Sequence, residues 1–289
     1  MRVIDVFPFF DEIDLLLIRL RYLSSSVDLF LISEYDTSFS GKHKGYILEE
    51  NWGIFEQFHH KIHYVKQTQK DFFSSFENDR FQKDSIKSHL QRIANYEDFI
   101  LFGDLDEIPR IETINVAKSL ERKHRILHFA QDAFSVYLNL KETSGTLLSH
   151  AGEYPGIFRK KWIGTVGTSL ETLRFFSMTE LRDPERKGIG KRMANAGWHF
   201  SYAGGFNSDA LDRLKFKLGH SAHQEFNNSI VVNSLESNLS ALKDPFGRKP
   251  KRNRFGRVKE SKYVKKQLDK EFPPTLVTIL RDYPHLILK

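Results

Sequence analysis

The chain has 289 residues, 40% of them hydrophobic and 13% aromatic, enough for a substantial core in one large α/β domain or two closely joined halves. It has no cysteine, which excludes a disulfide framework, a thiolate metal site and a cysteine nucleophile, and fits a reducing compartment. The net charge of +7 is segregated: Arg248 to Lys266 carries ten Lys or Arg against one acid, Glu260, a net of +9 that leaves −2 for the remainder. No apolar run is long enough to span a bilayer and Met1 to Asp5 has no signal-peptide pattern, so a soluble, cytoplasmic protein is expected.

Val3 to Val6 reads as a first strand, followed by a helix with Ile13, Leu16, Leu17, Leu20 and Leu23 on one face. A second buried strand runs from Val27 to Ile32 and enters a polar loop, Glu34 to Lys44. Lys61 to Val65 is a third strand, and a helix from about Phe81 to Ala94 turns Ile86, Leu90 and Ile93 inward. Phe99 to Phe102 is a fourth strand. This alternation is the pattern of a Rossmann-like, mostly parallel sheet flanked by helices. Beyond Pro109 the pattern loosens into a short helix near Ile114 to Leu120, a strand near Arg125 to Ala130, and a Gly-rich, aromatic stretch from Gly145 to Gly167, so a mixed half is expected. A helix carrying Leu211, Leu214 and Leu218 follows Gly204-Gly205, and a last helix spans Pro274 to Leu288. The reading gives a domain over 1–247, with halves 1–110 and 111–247, and a basic segment with its final helix over 248–289.

The most informative stretch is Gly103-Asp104-Leu105-Asp106-Glu107-Ile108-Pro109, two carboxylates one residue apart just after an apolar strand. Ligands collect at the carboxyl ends of strands in open α/β sheets. Asp104 and Asp106 point to the same side of an extended backbone, and two hard oxygen donors suit Mg2+ or Mn2+, which complete their coordination with water and substrate phosphate. A metal-bound diphosphate is the ligand this predicts. His199, in Gly197-Trp198-His199-Phe200-Ser201, is the third metal ligand, with His223 as its rival, and Trp198 is expected to wall the sugar. Glu34 is expected to meet the uracil or ribose, and Lys44 and Arg92 the phosphates, with a fold-stabilising ion pair as the competing account of each. Carboxylates that could take a proton from a bound hydroxyl are Glu225 in His220-Ser221-Ala222-His223-Gln224-Glu225, Asp132 and Glu107. Arg19 and Glu12 are assigned to structure, His59, His60 and His63 to a surface junction in preference to a metal cluster, and Lys215 and Lys217 to solvent, with one of them approaching a phosphate as the competing account.

The sequence resembles glycosyltransferase family 17, the family of β-1,4-mannosyl-glycoprotein 4-β-N-acetylglucosaminyltransferases, from about Asp5 to Glu225. The pieces that carry the resemblance are Asp5-Val6-Phe7-Pro8-Phe9 with Glu12, Asp14 and Arg19; Glu34 with Thr37, Phe39, Gly41 and Lys44; Asp104 to Pro109; and Gly197 to Ser201. It implies a GT-A-like fold, a nucleotide-sugar donor, UDP-N-acetylglucosamine being expected, and inversion at the anomeric carbon, with the base that removes the acceptor proton expected at Glu225, about where GT-A-like inverting enzymes place it, over its rivals Asp132 and Glu107. Animal members carry a membrane anchor and luminal stem before this region; this sequence opens directly on a strand, so a bacterial or viral relative is expected.

Two other function classes compete. A nucleotidyl- or phosphotransferase would use the same metal-diphosphate chemistry, but the chain has neither a Walker-type sequence nor Gly-x-Gly-x-x-Gly. A non-catalytic sugar- or polyanion-binding module would not need Asp104, Asp106 and His199. Nothing resembles a nucleic-acid-binding module. The basic segment 248–266, with Phe255, Val258, Tyr263 and Val264 interleaved, is expected to touch an anionic membrane surface, near a glycan or lipid-linked glycan acceptor.

Overall fold

The computed structural model describes residues 1–69, 71–144, 161–182, 189–248 and 262–289. Among these, ten strands form one sheet: β1 (Val3–Phe9), β2 (Leu29–Tyr35), β3 (Ile62–Gln67), β4 (Phe99–Phe102), β5 (Glu107–Pro109), β6 (Ile126–Ser135), β7 (Leu140–Glu142), β8 (Trp162–Ser169), β9 (Lys191–Ser201) and β10 (Tyr263–Lys265). The strand order is β10-β7-β6-β8-β4-β1-β2-β3, with β9 pairing both β6 and β5. β3, β2, β1 and β4 are mutually parallel. β8 then runs antiparallel between β4 and β6, while β6 and β9 are parallel and β5 is antiparallel to β9. A parallel Rossmann-like half joined to a mixed half is the GT-A-like expectation.

Side-chain alternation divides the core. In β1, Val3, Phe7 and Phe9 face the layer containing helix Ile13–Leu23, whereas Ile4 and Val6 face the layer containing helix Ser75–Ile93. β4 repeats the division, with Phe99 and Leu101 on the first side and Ile100 and Phe102 on the second. Such continuous apolar strands are what a parallel sheet covered on both faces requires.

Several boundaries differ from the sequence expectation for identifiable reasons. β1 continues through Pro8 to Phe9 because β4 pairs only with Val3 to Val6, so the proline falls where one edge is already free. The second long helix starts at Ser75, well before Phe81: Ser74 Oγ accepts from the Glu77 N–H at 3.4 Å and the Glu77 carboxylate accepts from the Ser74 N–H at 3.0 Å, a capping box that nucleates a polar first turn. The carboxyl-terminal helix is Pro274–Leu280 and gives way to a 3-10 turn at Pro284–Leu286. Residues 145–160 of the expected Gly-rich stretch and 249–261 of the basic segment lie outside the described residues. The flanks of the basic segment are integrated: Arg248 is bound by Asp244, β10 pairs with β7, and Phe272, Leu276 and Leu280 join the main core. No helix among the described residues is long and apolar enough to cross a membrane.

Candidate active site

A cavity of about 1040 Å³ opens where β1, β2 and β4 end, and its far wall comes from β6, β9 and the turn after helix Ala210–Leu218. The acidic motif forms its floor. Asp104 and Asp106 lie in the tight turn between β4 and β5, and the pairing of β5 with β9 sets Glu107 opposite His199. The Phe200 N–H donates to the Asp106 carbonyl at 2.8 Å, tying the motif to the strand that carries the histidine.

The turn is braced from behind by Arg19, which is wholly buried. Its guanidinium makes two bonds to Asp5, at 2.8 and 2.7 Å, and donates to the carbonyls of Asp104, Leu105 and Glu107 at 3.2, 3.0 and 2.6 Å. A planar fork held by one carboxylate can satisfy several turn carbonyls at once, which an ammonium does less well. Asp5 and Arg19 therefore serve the geometry of the motif.

The two motif carboxylates are not equivalent. Asp104 is bound by both Arg182 nitrogens, at 2.9 and 2.8 Å, and by Lys83 at 2.9 Å. Burial opposes its ionisation, but Arg182 and Lys83 outweigh that and hold it well below the usual carboxylate range. Asp106 Oδ1 is buried with no hydrogen-bond partner among the described residues, 3.5 Å from His199 Nε2, and Oδ2 is 3.8 Å from Lys217 Nζ. His199 Nδ1 is likewise buried without a partner, and the ring stacks on Trp162 with centroids 4.4 Å apart. Burial works against the imidazolium, yet the neighbouring Asp106 prevails and raises its affinity for a proton.

An orphaned carboxylate oxygen beside an imidazole nitrogen is a donor set that fits a divalent ion such as Mn2+. Asp104, with both oxygens on Arg182, fits such an ion only through water. No group of three or more His, Asp or Glu among the described residues is arranged to hold a metal, so the protein would supply two ligands and leave the other positions to water and substrate oxygen.

The structure separates the other expected site residues. Glu107 is fully buried and saturated: Trp162 Nε1 and Arg182 donate to Oε1 at 2.7 and 2.5 Å, and the Thr165 hydroxyl donates to Oε2 at 3.0 Å. It crosses Gly164, where a Cβ would stand 2.0 Å from Oε1, so its carboxylate is committed to holding the strands around it together. Asp132 is held by Lys161 at 2.6 Å and Lys141 at 3.3 Å and does not line the cavity. Glu34 is also fully enclosed, accepting from Lys44, Tyr64 and the backbone N–H groups of Ile47 and Leu48, so it anchors the loop after β2. Lys44 reaches the cavity wall with its ammonium on Glu34 at 2.5 Å. Arg92 is exposed near the end of helix Ser75–Ile93, off the face that carries Lys83, Ile86 and Leu90. Trp198 is buried among Tyr22, Phe272 and Arg110, because adjacent residues of a strand face opposite sides and His199 takes the cavity side.

Glu225 does line the cavity, half exposed, with its carboxylate 2.7 Å from His223 Nδ1. His59 stacks on Trp52, away from any ligand cluster. Lys215 is exposed, but Lys217, expected in solvent, is enclosed between Glu12 at 2.8 Å and Asp106. Sequence reading missed Lys83, Arg182, Trp162 and this position of Lys217. Two carried a signal: Lys83 continues the stripe Ile86 and Leu90 at helical spacing, and Lys217 lies one turn beyond the buried Arg213.

No curated protein matches the chain. Among solved structures, Staphylococcus aureus TarS 1-349 is similar at 11% identity and a TM-score of 0.38, over 84% of this chain and 74% of that one. TarS 1-349 in complex with UDP-GlcNAc is similar at 10% identity and a TM-score of 0.39, over 83% and 73%. The sequence model of Glycosyltransferase family 17 matches residues 1–142, the part containing β1 to β7 and the acidic motif, and this is the family that the motifs resemble.

Proposed function

We propose that the chain is a metal-dependent, inverting glycosyltransferase that takes its sugar from a UDP-sugar, UDP-N-acetylglucosamine being the expected donor, and delivers it to a glycan hydroxyl. The observation that carries this reading is the unsatisfied Asp106 Oδ1 beside His199 Nε2, at the carboxyl end of a parallel strand and on the floor of a large cavity. The family match to residues 1–142 supports the transfer class.

Mn2+ or Mg2+ held by Asp106 and His199 would neutralise charge developing on the leaving nucleotide diphosphate. Lys217 flanks Asp106, and Lys83 and Arg182 flank Asp104, so three enclosed cations surround the place where phosphates would lie. Trp162, stacked on His199, offers the apolar wall first expected of Trp198. Inversion needs one group to accept the acceptor's proton and no protein nucleophile. The Ala222–Phe226 turn supplies that group through the Glu225–His223 pair. The basic segment is proposed to hold the enzyme on an anionic membrane near its acceptor, each nearby Lys or Arg adding about 1 kcal/mol. Replacing Lys and Arg within 249–261 by Gln should reduce binding to anionic vesicles without changing donor turnover. Equal vesicle binding would remove this role.

Calorimetric titration with UDP tests the donor site. Binding should strengthen with Mn2+ in the wild type, and the Mn2+ effect should vanish in Asp106→Asn. An undiminished Mn2+ effect in the variant would place the ion elsewhere.

A further inference from the structure

Two titratable side chains on the cavity wall are paired in a way that divides their labour. His223 Nδ1 lies 2.7 Å from Glu225 Oε1, so in the neutral ring Nδ1 carries the hydrogen and donates it to the carboxylate. Nε2 is then the ring's lone-pair nitrogen, and it makes no hydrogen bond among the described residues. The edge-on ring of Phe76, centroids 5.1 Å apart, packs against His223 from helix Ser75–Ile93, and Phe226 packs from the following turn. The imidazole is thus held on three sides. Both residues line the cavity that holds Asp106 and His199, and Tyr202 is within electrostatic reach of Asp106 and Glu225 alike.

We infer that His223 is the catalytic base and that Glu225 is its positioning residue. This rests on the glycosyl-transfer reading and refines the assignment of the base. The acceptor O–H bond breaks with its proton passing to His223 Nε2, and the oxygen's electron pair forms the new bond to the anomeric carbon. The bond from that carbon to the diphosphate oxygen breaks, and its electron pair leaves with the nucleotide diphosphate. The imidazolium is stabilised by the Glu225 carboxylate and later loses its proton to water. A carboxylate in contact with an imidazole fixes the ring's tautomer and its orientation. Glu225 alone is less suited to the role: burial raises its pKa slightly, but the His223 contact outweighs this and lowers it, making it a weaker base. Among the described residues, Arg248 acts on Glu225, and Asp79, Arg80 and Lys217 are further charged residues that line the same cavity.

The test is the pH dependence of kcat/KM for His223→Gln, Glu225→Gln and the double variant, with UDP binding measured in parallel. His223→Gln should lose about 10²- to 10⁴-fold in kcat/KM with UDP affinity unchanged, and the double variant should lose no more, since the residues act as one unit. The wild-type rate should fall on the acid side of its pH profile, that fall should be lost in His223→Gln, and Glu225→Gln should lose less rate than His223→Gln. A larger loss in Glu225→Gln, with the acid-side fall retained in His223→Gln, would make Glu225 the base. Wild-type turnover with all three variants within about threefold would overturn the base assignment alone. A wild-type chain that binds no nucleotide diphosphate would overturn the glycosyl-transfer reading and this inference with it.

Discussion

Asp106 and His199 face each other across 3.5 Å on the cavity floor, each with a buried polar atom that the described residues leave without a hydrogen bond. Buried polar groups are rarely left so, because an unmade bond there costs about 1–3 kcal/mol. An ion held between Asp106 Oδ1 and His199 Nε2 would satisfy the first of these atoms; His199 Nδ1, on the other side of the ring, lies outside its reach. Asp106→Asn gives up only the charge attraction to His199 and Lys217, so it should leave stability within about 1 kcal/mol of wild type while removing about 10²-fold or more of the transfer rate. Urea unfolding and steady-state kinetics on the same preparation check the two halves of this expectation.

Arg19 illustrates the opposite case, a charged residue whose loss should unfold rather than inactivate. It is wholly enclosed, bound to Asp5, and donates to three carbonyls of the motif turn. Arg19→Met leaves Asp5 charged and unpaired in the core, and should cost about 3–5 kcal/mol. A variant as stable as wild type to denaturant would show that the turn is held by other contacts.

Glu12 should make the fold acid-sensitive. Burial works to raise its pKa, but Lys217 and Arg213 prevail and bring it to about 2, from an ordinary 4.5. A carboxylate whose pKa is depressed on folding contributes stability above its unfolded pKa, and that contribution is lost as pH falls from about 4.5 toward about 2. The shift corresponds to roughly 3 kcal/mol at neutral pH. Glu12→Gln should be destabilised by about that amount at pH 7, and the difference from wild type should shrink steadily below pH 4.5. A difference that stays constant with pH would mean that Glu12 acts through packing alone.

Lys83 and Lys217 should contribute to donor binding. Both are enclosed on the cavity wall within 4 Å of a motif carboxylate, Lys83 at 2.9 Å and Lys217 at 3.8 Å. Charge-assisted hydrogen bonds contribute about 1.5–3 kcal/mol, so Met at either position should weaken UDP binding by about 10- to 100-fold and leave uridine binding unchanged. Equal weakening for uridine and UDP would point to a general distortion of the pocket.

How much of this could be read in the sequence depends on the range of the interactions. The parallel half was legible because Ile13 to Leu23 and Phe99 to Phe102 carry their periodicity locally, and the acidic motif was legible because strand and carboxylates are contiguous. The alternation of β9 was also present: if His199 faces the cavity, Trp198 must face the core. What was not legible were partners brought from afar. Asp104 meets Arg182 from 78 positions away, Lys217 reaches Glu12 across 205, and Glu34 is consumed by Lys44, Tyr64 and two backbone groups that only the folded loop assembles. Charge in a sequence says little about whether it will be spent inside the fold or left for a ligand. Lys217 and Glu34 went opposite ways for that reason.

The central claim is that the Asp106–His199 pair supports transfer from a nucleotide sugar, and the most direct measurement is nucleotide-diphosphate release from a panel of UDP- and GDP-sugars, with Mn2+ or with a chelator. The account predicts release from a UDP-sugar that requires Mn2+ and is lost in Asp106→Asn. Release that persists after thorough chelation or in Asp106→Asn, or no release from any sugar nucleotide in the panel, would contradict it.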